Sequence, residues 1–303
     1  MVLPRGIKPM LARNGGEPFD RAGYGFEVKW DGMRCLIVAE AATRLQNRHL
    51  RNVTGQFPEL DFPALPPGTV IDGEIVVLKA GVPSFYALQR RCQLQSTSKI
   101  GLAAQTTPAT FMAFDLLYLQ GRKITALPLF ERRAMLEELL GSKGQERLTL
   151  TDQIVERGKA YHEAAATRGL EGVIAKRLDS PYLEGKRSSA WLKIVAWRIK
   201  PLTVLGYVKD HGAEKVKYIA VGRRKGKGWQ YLGKLGALEP VDQRQLYAAM
   251  TAAERLMPVP ENGPSNIDWR AVDLRCYVRY FEETTSGRLR QASFKGWVAR
   301  QTH

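Results

Sequence analysis

The chain has 303 residues, 44% of them hydrophobic and 25% charged, with a formal net charge of +16; that is room for about two domains with cores of their own, and no apolar run is long enough to cross a bilayer. Met1-Val2-Leu3-Pro4-Arg5 does not begin a secretory signal, so the expected location is the cytoplasm. The positive excess points to a polyanionic partner, nucleic acid first and an anionic membrane surface second, while Cys35, Cys92, Cys276 and four scattered histidines match no zinc spacing and predict reduced thiols without a structural metal.

Residues 1 to 25 form an irregular lead-in with Pro4, Pro9 and Pro18, carrying Pro9-Met10-Leu11-Ala12. Phe26, Val28 and Trp30 then alternate with Glu27, Lys29 and Asp31, the period of a strand that Asp31-Gly32 interrupts as a turn before it continues through Cys35-Leu36-Ile37-Val38. Lys29 therefore sits near a strand end. A lysine acts as a nucleophile only when burial or nearby cations lower its pKa, and Arg34 is a candidate for such a charge. Arg48 follows a polar turn and by its local pattern reads as a surface arginine. Phe57-Pro58-Glu59-Leu60 comes next.

Residues 69 to 77 are apolar on both sides of Asp72-Gly73-Glu74. A carboxylate pair in a buried strand needs a cation, a ribose hydroxyl or a metal, which makes Glu74 a functional candidate; a tight hairpin at Asp72-Gly73 is the competing reading. Residues 85 to 91 predict a short helix with a basic face, and residues 110 to 118 a buried strand in which Phe114 is either a core aromatic or a stacking platform for a purine. Helices are expected over 129 to 140, ending at Gly141, and over 152 to 168, closed by Gly169. A strand over 170 to 177 bears Glu171 and Lys176, and another over 188 to 195 bears Lys193. Short strands that each carry an acid or a base make sense if those charges converge on a charged ligand.

A linker is expected over residues 197 to 201, where Pro201 follows a basic run. Beyond it the pattern is all-β, with strands near 202 to 208, 217 to 222, 230 to 233 and 274 to 282 and one helix over 242 to 255, which fits a small barrel of OB-fold type. The tail from residue 198 holds 19 basic and 10 acidic side chains. Arg223-Arg224-Lys225 and Lys227 lie on a glycine-flanked turn that reads as a solvated hairpin tip or as one gripping a phosphate backbone. It is too short for a phosphate loop, and Gly228 stands where serine or threonine would bind magnesium.

Lys29-x-Asp31-Gly32-x-Arg34, Asp72-Gly73-Glu74, Phe114, Glu171-Gly172, Lys176, Lys193 and the closing stretch from Arg288 to Gly296 together resemble, in order, the motifs of ATP-dependent DNA ligases. The likeness is greatest to the compact bacterial type represented by the ligase module of ligase D and by ligase C, and it covers nearly the whole chain. The resemblance implies an α+β nucleotidyltransferase (adenylation) domain over residues 1–197 and an OB-fold domain over 198–303. It implies that Lys29 carries AMP taken from ATP, with Glu27, residues 9 to 12 and Phe114 beside the adenine. Arg34, Arg48 and Arg290 would contact nucleotide, Arg48 also the 5′-phosphate of a nick, and Glu74 the ribose side. Glu171 and Glu74 would hold Mg2+ or Mn2+, and Lys176 and Lys193 would lie near adenine and α-phosphate. Nicked double-stranded DNA is the implied partner, joined by Arg48, Arg223, Arg224, Lys225 and Lys227, with a Ku-type end binder a further candidate and a monomer the expected state. The reaction so implied runs from lysyl-AMP through adenylated 5′-phosphate to the sealed strand, with residues 197 to 201 as the hinge between steps.

Two departures bear on the first step. Val195 stands where the family has a second lysine, and after Gly296 the chain reads Trp297-Val298-Ala299-Arg300-Gln301 in place of Arg-Glu-Asp-Lys, leaving Arg300 as a substitute. Self-adenylation slower than the later steps is the expectation. An RNA ligase, a GTP-using capping-type enzyme, or a nick-binding protein that has lost catalysis are the competing readings.

Overall fold

The computed structural model describes residue 3 and residues 6–141, 146–210, 215–236, 238–251, 257–270, 274–284 and 286–298. It divides into two compact units, Met1–Ala196 and Trp197–His303. Together they form an α+β chain, dominated by sheet. No helix among the described residues is long and apolar enough to cross a membrane.

The first unit is built on two sheets. One has the strand order Leu11–Asn14, Arg187–Val195, Gly172–Arg177, Tyr24–Val28, Gln153–Val155. The other runs Leu148–Leu150, Thr110–Leu119, Thr69–Val76, Met33–Ala39, Thr43–Asn47, with Arg122–Lys123 paired to Thr110–Leu119. From Cys35 on, strand Met33–Ala39 is apolar on both faces and buried on both. Cys35, Ile37 and Ala39 join a core with Phe57, Ile71, Phe111 and Leu136. Leu36 and Val38 point the other way, into a layer with Met10, Val70, Phe114, Tyr182 and Trp191. That second layer draws on both sheets and forms the floor on which the site is built.

Residues 26 to 38 are therefore not one interrupted strand. Tyr24–Val28 belongs to the first sheet and Met33–Ala39 to the second, and the chain crosses between them at residues 29–32. Gly32 is required by this crossing, because a Cβ there would lie 2.3 Å from the Ile75 carbonyl oxygen. Asp72-Gly73 is not a hairpin either. Thr69–Val76 is a continuous strand in register with Met33–Ala39, placing Glu74 opposite Arg34 and Asp72 opposite Leu36, and it bulges between Asp72 and Gly73 against Thr110–Leu119. Gly73 faces Phe111, whose ring would be 2.1 Å from an added Cβ.

Helix Leu129–Leu140 ends at Gly141, whose φ of +69° is the left-handed geometry that favours glycine. The helix expected over 152 to 168 is shorter, Gly158–Thr167, because Gln153–Val155 instead pairs antiparallel with the open edge of Tyr24–Val28. Helix Phe85–Cys92 keeps Arg90 outside, but Arg91 is buried rather than part of a basic face. Its guanidinium meets both oxygens of Glu59 at 2.7 and 3.1 Å and also donates to the carbonyls of Gln56 and Thr107. The Phe57-Pro58-Glu59-Leu60 stretch thus anchors that helix from beneath. A further helix, Thr97–Thr106, carried no sequence pattern strong enough to anticipate it.

The second unit is an antiparallel sheet in the order Gly228–Leu235, Val216–Lys225, Arg198–Lys209, Arg275–Tyr280, Ser293–Trp297, with Asp268–Trp269 also paired to Arg198–Lys209. The Leu289 N–H donates to the Leu232 carbonyl at 2.8 Å, drawing the approach to the last strand back onto the first. Helix Pro240–Thr251 contributes Leu246 and Met250 to a core with Ile219, Val221, Leu232 and Val278. A curled sheet capped by one helix is consistent with an OB-fold. Of the linker expected over 197 to 201 only Trp197 lies outside a strand, since Arg198 already pairs with Tyr280. Pro201 is tolerated in this strand because it is bridged on one side only, to Tyr277, before pairing on the other side begins at Thr203.

Candidate active site

Strand alternation sets the composition of the cavity wall. Cross-strand pairing aligns Glu27 with Ile174 and Ile174 with Lys193, and Lys176 with Trp191. Glu27, Lys29, Ile174, Lys176, Trp191 and Lys193 all line one cavity of about 620 Å3, facing Arg34, Glu74 and Phe114 from the second sheet. Leu11 and Ala12 form a further wall. The volume is in the range of small-ligand sites, with an apolar end and several convergent charges.

Lys29 lies one residue past Tyr24–Val28, its N–H extending the ladder to the Gly172 carbonyl at 2.9 Å. Its ammonium is paired directly with the Glu171 carboxylate, and the side chains are 20% and 4% exposed. A carboxylate set directly against an amine that reaches the cavity is placed to take a proton from it. Deeper in, Lys176 Nζ stands 2.5 Å from Glu27 and above the rings of Phe114 and Trp191 at 4.3 and 4.4 Å. Burial pushes the Lys176 ammonium below its ordinary pKa, against the pull of Glu27. Gln153 completes the Glu27 contacts, donating at 2.8 Å, and Arg133 stands 3.6 Å away.

Arg34 does not act as a bare cation near Lys29. It grips Asp72 with two bonds of 2.6 Å, and its guanidinium lies 4.5 Å above Phe114. Burial works against the Arg34 charge, yet Asp72 outweighs it and holds the pKa above its ordinary value. Phe114 lines the cavity while its ring contacts these cations and packs edge-on to Trp191. Glu74 forms no ion pair among the described residues, and burial lifts its carboxyl to about 8 despite Arg34 and Lys29 nearby.

The other sequence candidates fall elsewhere. Arg48 is exposed at the cavity rim, its Nε donating to the His49 ring at 3.1 Å. Val195 ends its strand opposite Gly172. Arg290, in the second unit, is paired with Glu282. On the hairpin, Arg223 is held by Glu283 through bonds of 2.6 and 3.0 Å and by Gln230, Arg224 lies over Trp229, and Lys225 pairs with Glu261. Lys227 is exposed and makes no ion pair among the described residues. Trp297 packs against Phe294, while Ala299, Arg300 and Gln301 lie outside the described residues. Sequence reasoning missed Asp72 as the partner of Arg34, together with Tyr182, Arg187 and Trp191. The spacing from Trp191 to Lys193 signals that those two share a face; nothing local signals the others.

A divalent cation finds no ready-made cage here, for the described residues include no cluster of three or more metal-ligating side chains. Glu74 and Glu171 nonetheless suit an ion that takes one or two carboxylates and fills the remaining positions with substrate phosphate oxygens.

The sequence model described as the ATP dependent DNA ligase domain matches residues 9–194. The chain is 35% identical over 257 residues to DNA ligase C2 of Mycolicibacterium smegmatis, covering 82% of this chain and 71% of that protein. It is 32% identical over 309 residues to the multifunctional non-homologous end joining protein LigD of the same species, covering 97% of this chain but 38% of the relative's length. Among solved structures, mycobacterial DNA ligase D complexed with ATP and MES matches at 31% identity and a TM-score of 0.56, over 96% of this chain and 95% of that one.

The Glu74 carboxyl gives a pH test. Its folded value near 8 lies above the ordinary 4.5, so between these the native state keeps a proton that the unfolded chain has lost, and stability falls as pH rises through that window. Denaturant midpoints of wild type and Glu74→Gln, compared from pH 5 to 9, should diverge in favour of the variant up to about pH 8 and then run parallel. A difference independent of pH would show that Glu74 titrates normally.

Proposed function

The chain belongs to the ATP-dependent DNA ligase family, and from that membership we propose that Lys29 is the residue that carries AMP and that the substrate is a 5′-phosphorylated nick in duplex DNA. The observation that carries this reading is the Lys29 amine, held against Glu171 in a cavity whose same face presents Lys176 and Lys193. Glu171 accepts the ammonium proton. The Lys29 nitrogen then attacks the α-phosphorus of ATP, a phosphorus–nitrogen bond forms and pyrophosphate leaves. In the second step the 5′-phosphate oxygen of the nick takes the adenylyl group and Lys29 is released. In the third, the 3′-hydroxyl attacks the phosphorus of the adenylated 5′-phosphate of the nick, the phosphodiester forms and the anhydride bond to AMP breaks, so that AMP departs.

Each neighbour has a part that its chemistry supports. Glu27, oriented by Lys176 and Gln153, offers a carboxylate to the exocyclic amine of adenine, the feature that separates ATP from GTP. Phe114 and Trp191 supply apolar surface for the purine. Lys193 faces the phosphates, and Arg48 at the rim is suited to the nick phosphate. Glu74 and Glu171 would hold Mg2+ or Mn2+, which when bound neutralises charge on phosphoryl oxygens. The reaction asks mainly for in-line positioning and charge stabilisation, which these groups provide.

The end-joining name of the LigD relatives supports a role in DNA end joining and repair; a cytoplasmic location and a Ku-type end binder as partner complete the proposal. The net charge of +16 supports the DNA contact, through Arg48 and the Arg223, Arg224, Lys225 and Lys227 hairpin.

Sealing of a nicked duplex with ATP should be efficient, with GTP or an RNA nick poor, and Lys29→Ala should lose at least about 10³-fold. Val195 and the altered closing segment predict that a pre-adenylated nick is sealed faster than an ordinary one. Robust sealing by Lys29→Ala with ATP, or preference for GTP or RNA, would contradict the assignment. A second test concerns Glu283, which neutralises both Arg223 and Lys200. Glu283→Gln should steepen the salt dependence of duplex binding by about 1 in log–log slope for each cation released, and an unchanged slope would mean that these cations do not meet phosphate.

A further inference from the structure

The family chemistry leaves unexplained a buried polar junction beneath the cavity wall. Tyr182, fully within the layer between the sheets, donates its hydroxyl proton to Asp72 Oδ2 at 2.5 Å and accepts the Met10 N–H at 2.9 Å. Asp72 is also the carboxylate that Arg34 grips, and Arg34 in turn donates to the Met10 carbonyl at 3.3 Å. The Leu183 N–H approaches Met10 Sδ at 3.2 Å. Met10 is thus fixed at its N–H, its carbonyl and its sulfur, with no exposed surface.

Met10 immediately precedes Leu11 and Ala12, which form a cavity wall and pair in parallel with Arg187 and Ser188. The loop that carries Tyr182 is itself anchored. The Tyr182 N–H donates to the Thr125 carbonyl at 2.8 Å, and Arg132, bonded twice to Asp115 at 2.8 Å, donates to the Ser180 carbonyl at 3.0 Å. An anchored loop, a buried phenol and a carboxylate–guanidinium pair therefore converge on one peptide group whose next two residues line the pocket.

We propose that Tyr182 is a positioning residue for the nucleoside: through Asp72, Arg34 and Met10 it clasps the lead-in so that Leu11 and Ala12 complete the purine-side wall. The proposal rests on the reading of this cavity as the ATP site. Removing the hydroxyl leaves the buried Met10 N–H without its acceptor and loosens the wall, while the lysine, Glu171 and the phosphate-side cations stay where they are. The loss is one of ground-state binding, felt equally in the transition state, so it raises the ATP concentration needed and not the maximal rate.

The test is Tyr182→Phe, which keeps the ring and its packing. In a Lys29→Ala background, where adenylation cannot consume the ligand, the ATP dissociation constant should rise about tenfold on adding Tyr182→Phe. In the background with Lys29 intact, the half-saturating ATP concentration for single-turnover self-adenylation should rise by a similar factor, the maximal rate staying within about twofold. An unchanged dissociation constant, or a maximal rate that falls at unchanged half-saturation, overturns the clasp. Binding of ATP without modification of the wild type would refute the Lys29 assignment, yet the paired dissociation constants would still decide the role of Tyr182. No ATP binding by any of the proteins would overturn both.

Discussion

Charge set between two sheets is costly unless each group meets a counter-charge at fixed geometry, and this constraint shapes the whole first unit. Glu27 and Lys176 come from neighbouring strands of one sheet and Arg34 and Asp72 from neighbouring strands of the other, so strand register presets both pairs. Removing one member would strand the other in a dry layer, a loss of about 3–5 kcal/mol in comparable buried pairs. Lys29 and Glu171 form another such pair, at the point where the chain leaves one sheet for the other. The Lys29 side chain is 20% exposed against 2% for Lys176, which lets the amine meet a ligand without dismantling the interior. Glu74 is the exception. It faces the cavity without an ion pair among the described residues, and its raised pKa is what an unneutralised carboxyl in this layer should show.

The cavity wall of the first sheet was legible in the sequence because it follows from alternation. Once Tyr24–Val28, Gly172–Arg177 and Arg187–Val195 are strands, residues 27 and 29, 174 and 176, and 191 and 193 must share faces. The crossing at residues 29–32 was only partly legible: Asp31-Gly32 reads as a turn, but the strand pattern resumes beyond it as if in the same sheet, and only the approach of Ile75 shows why Gly32 ends one sheet and opens another. The partnership of Arg34 with Asp72, 38 residues away, and of Asp72 with Tyr182, 110 residues away, leaves no local trace. Residues 152 to 157 were misread as helix because their pattern is weak and the unpaired edge of Tyr24–Val28 decides their conformation. Arg91 looked like a surface charge because the carboxylate that buries it, Glu59, lies on a separate loop.

The second unit shows how far net charge can mislead at the level of single residues. Its tail is densely basic, yet Arg223, Lys200, Lys225 and Arg290 each rest against a carboxylate within the unit. Such exposed and half-exposed pairs are individually weak, and a phosphate backbone can displace them at small cost. These paired cations are therefore open to exchange with an anionic partner rather than fixed in the fold.

Intact-mass analysis with peptide mapping decides whether the amine beside Glu171 forms a covalent bond to adenylate. After incubation with ATP and magnesium, the wild-type chain should gain the mass of one adenylyl group, located on the peptide containing Lys29, and Lys29→Ala should gain none. Unmodified wild-type protein, or an adenylyl group on any other residue, would mean that Lys29 does not carry AMP.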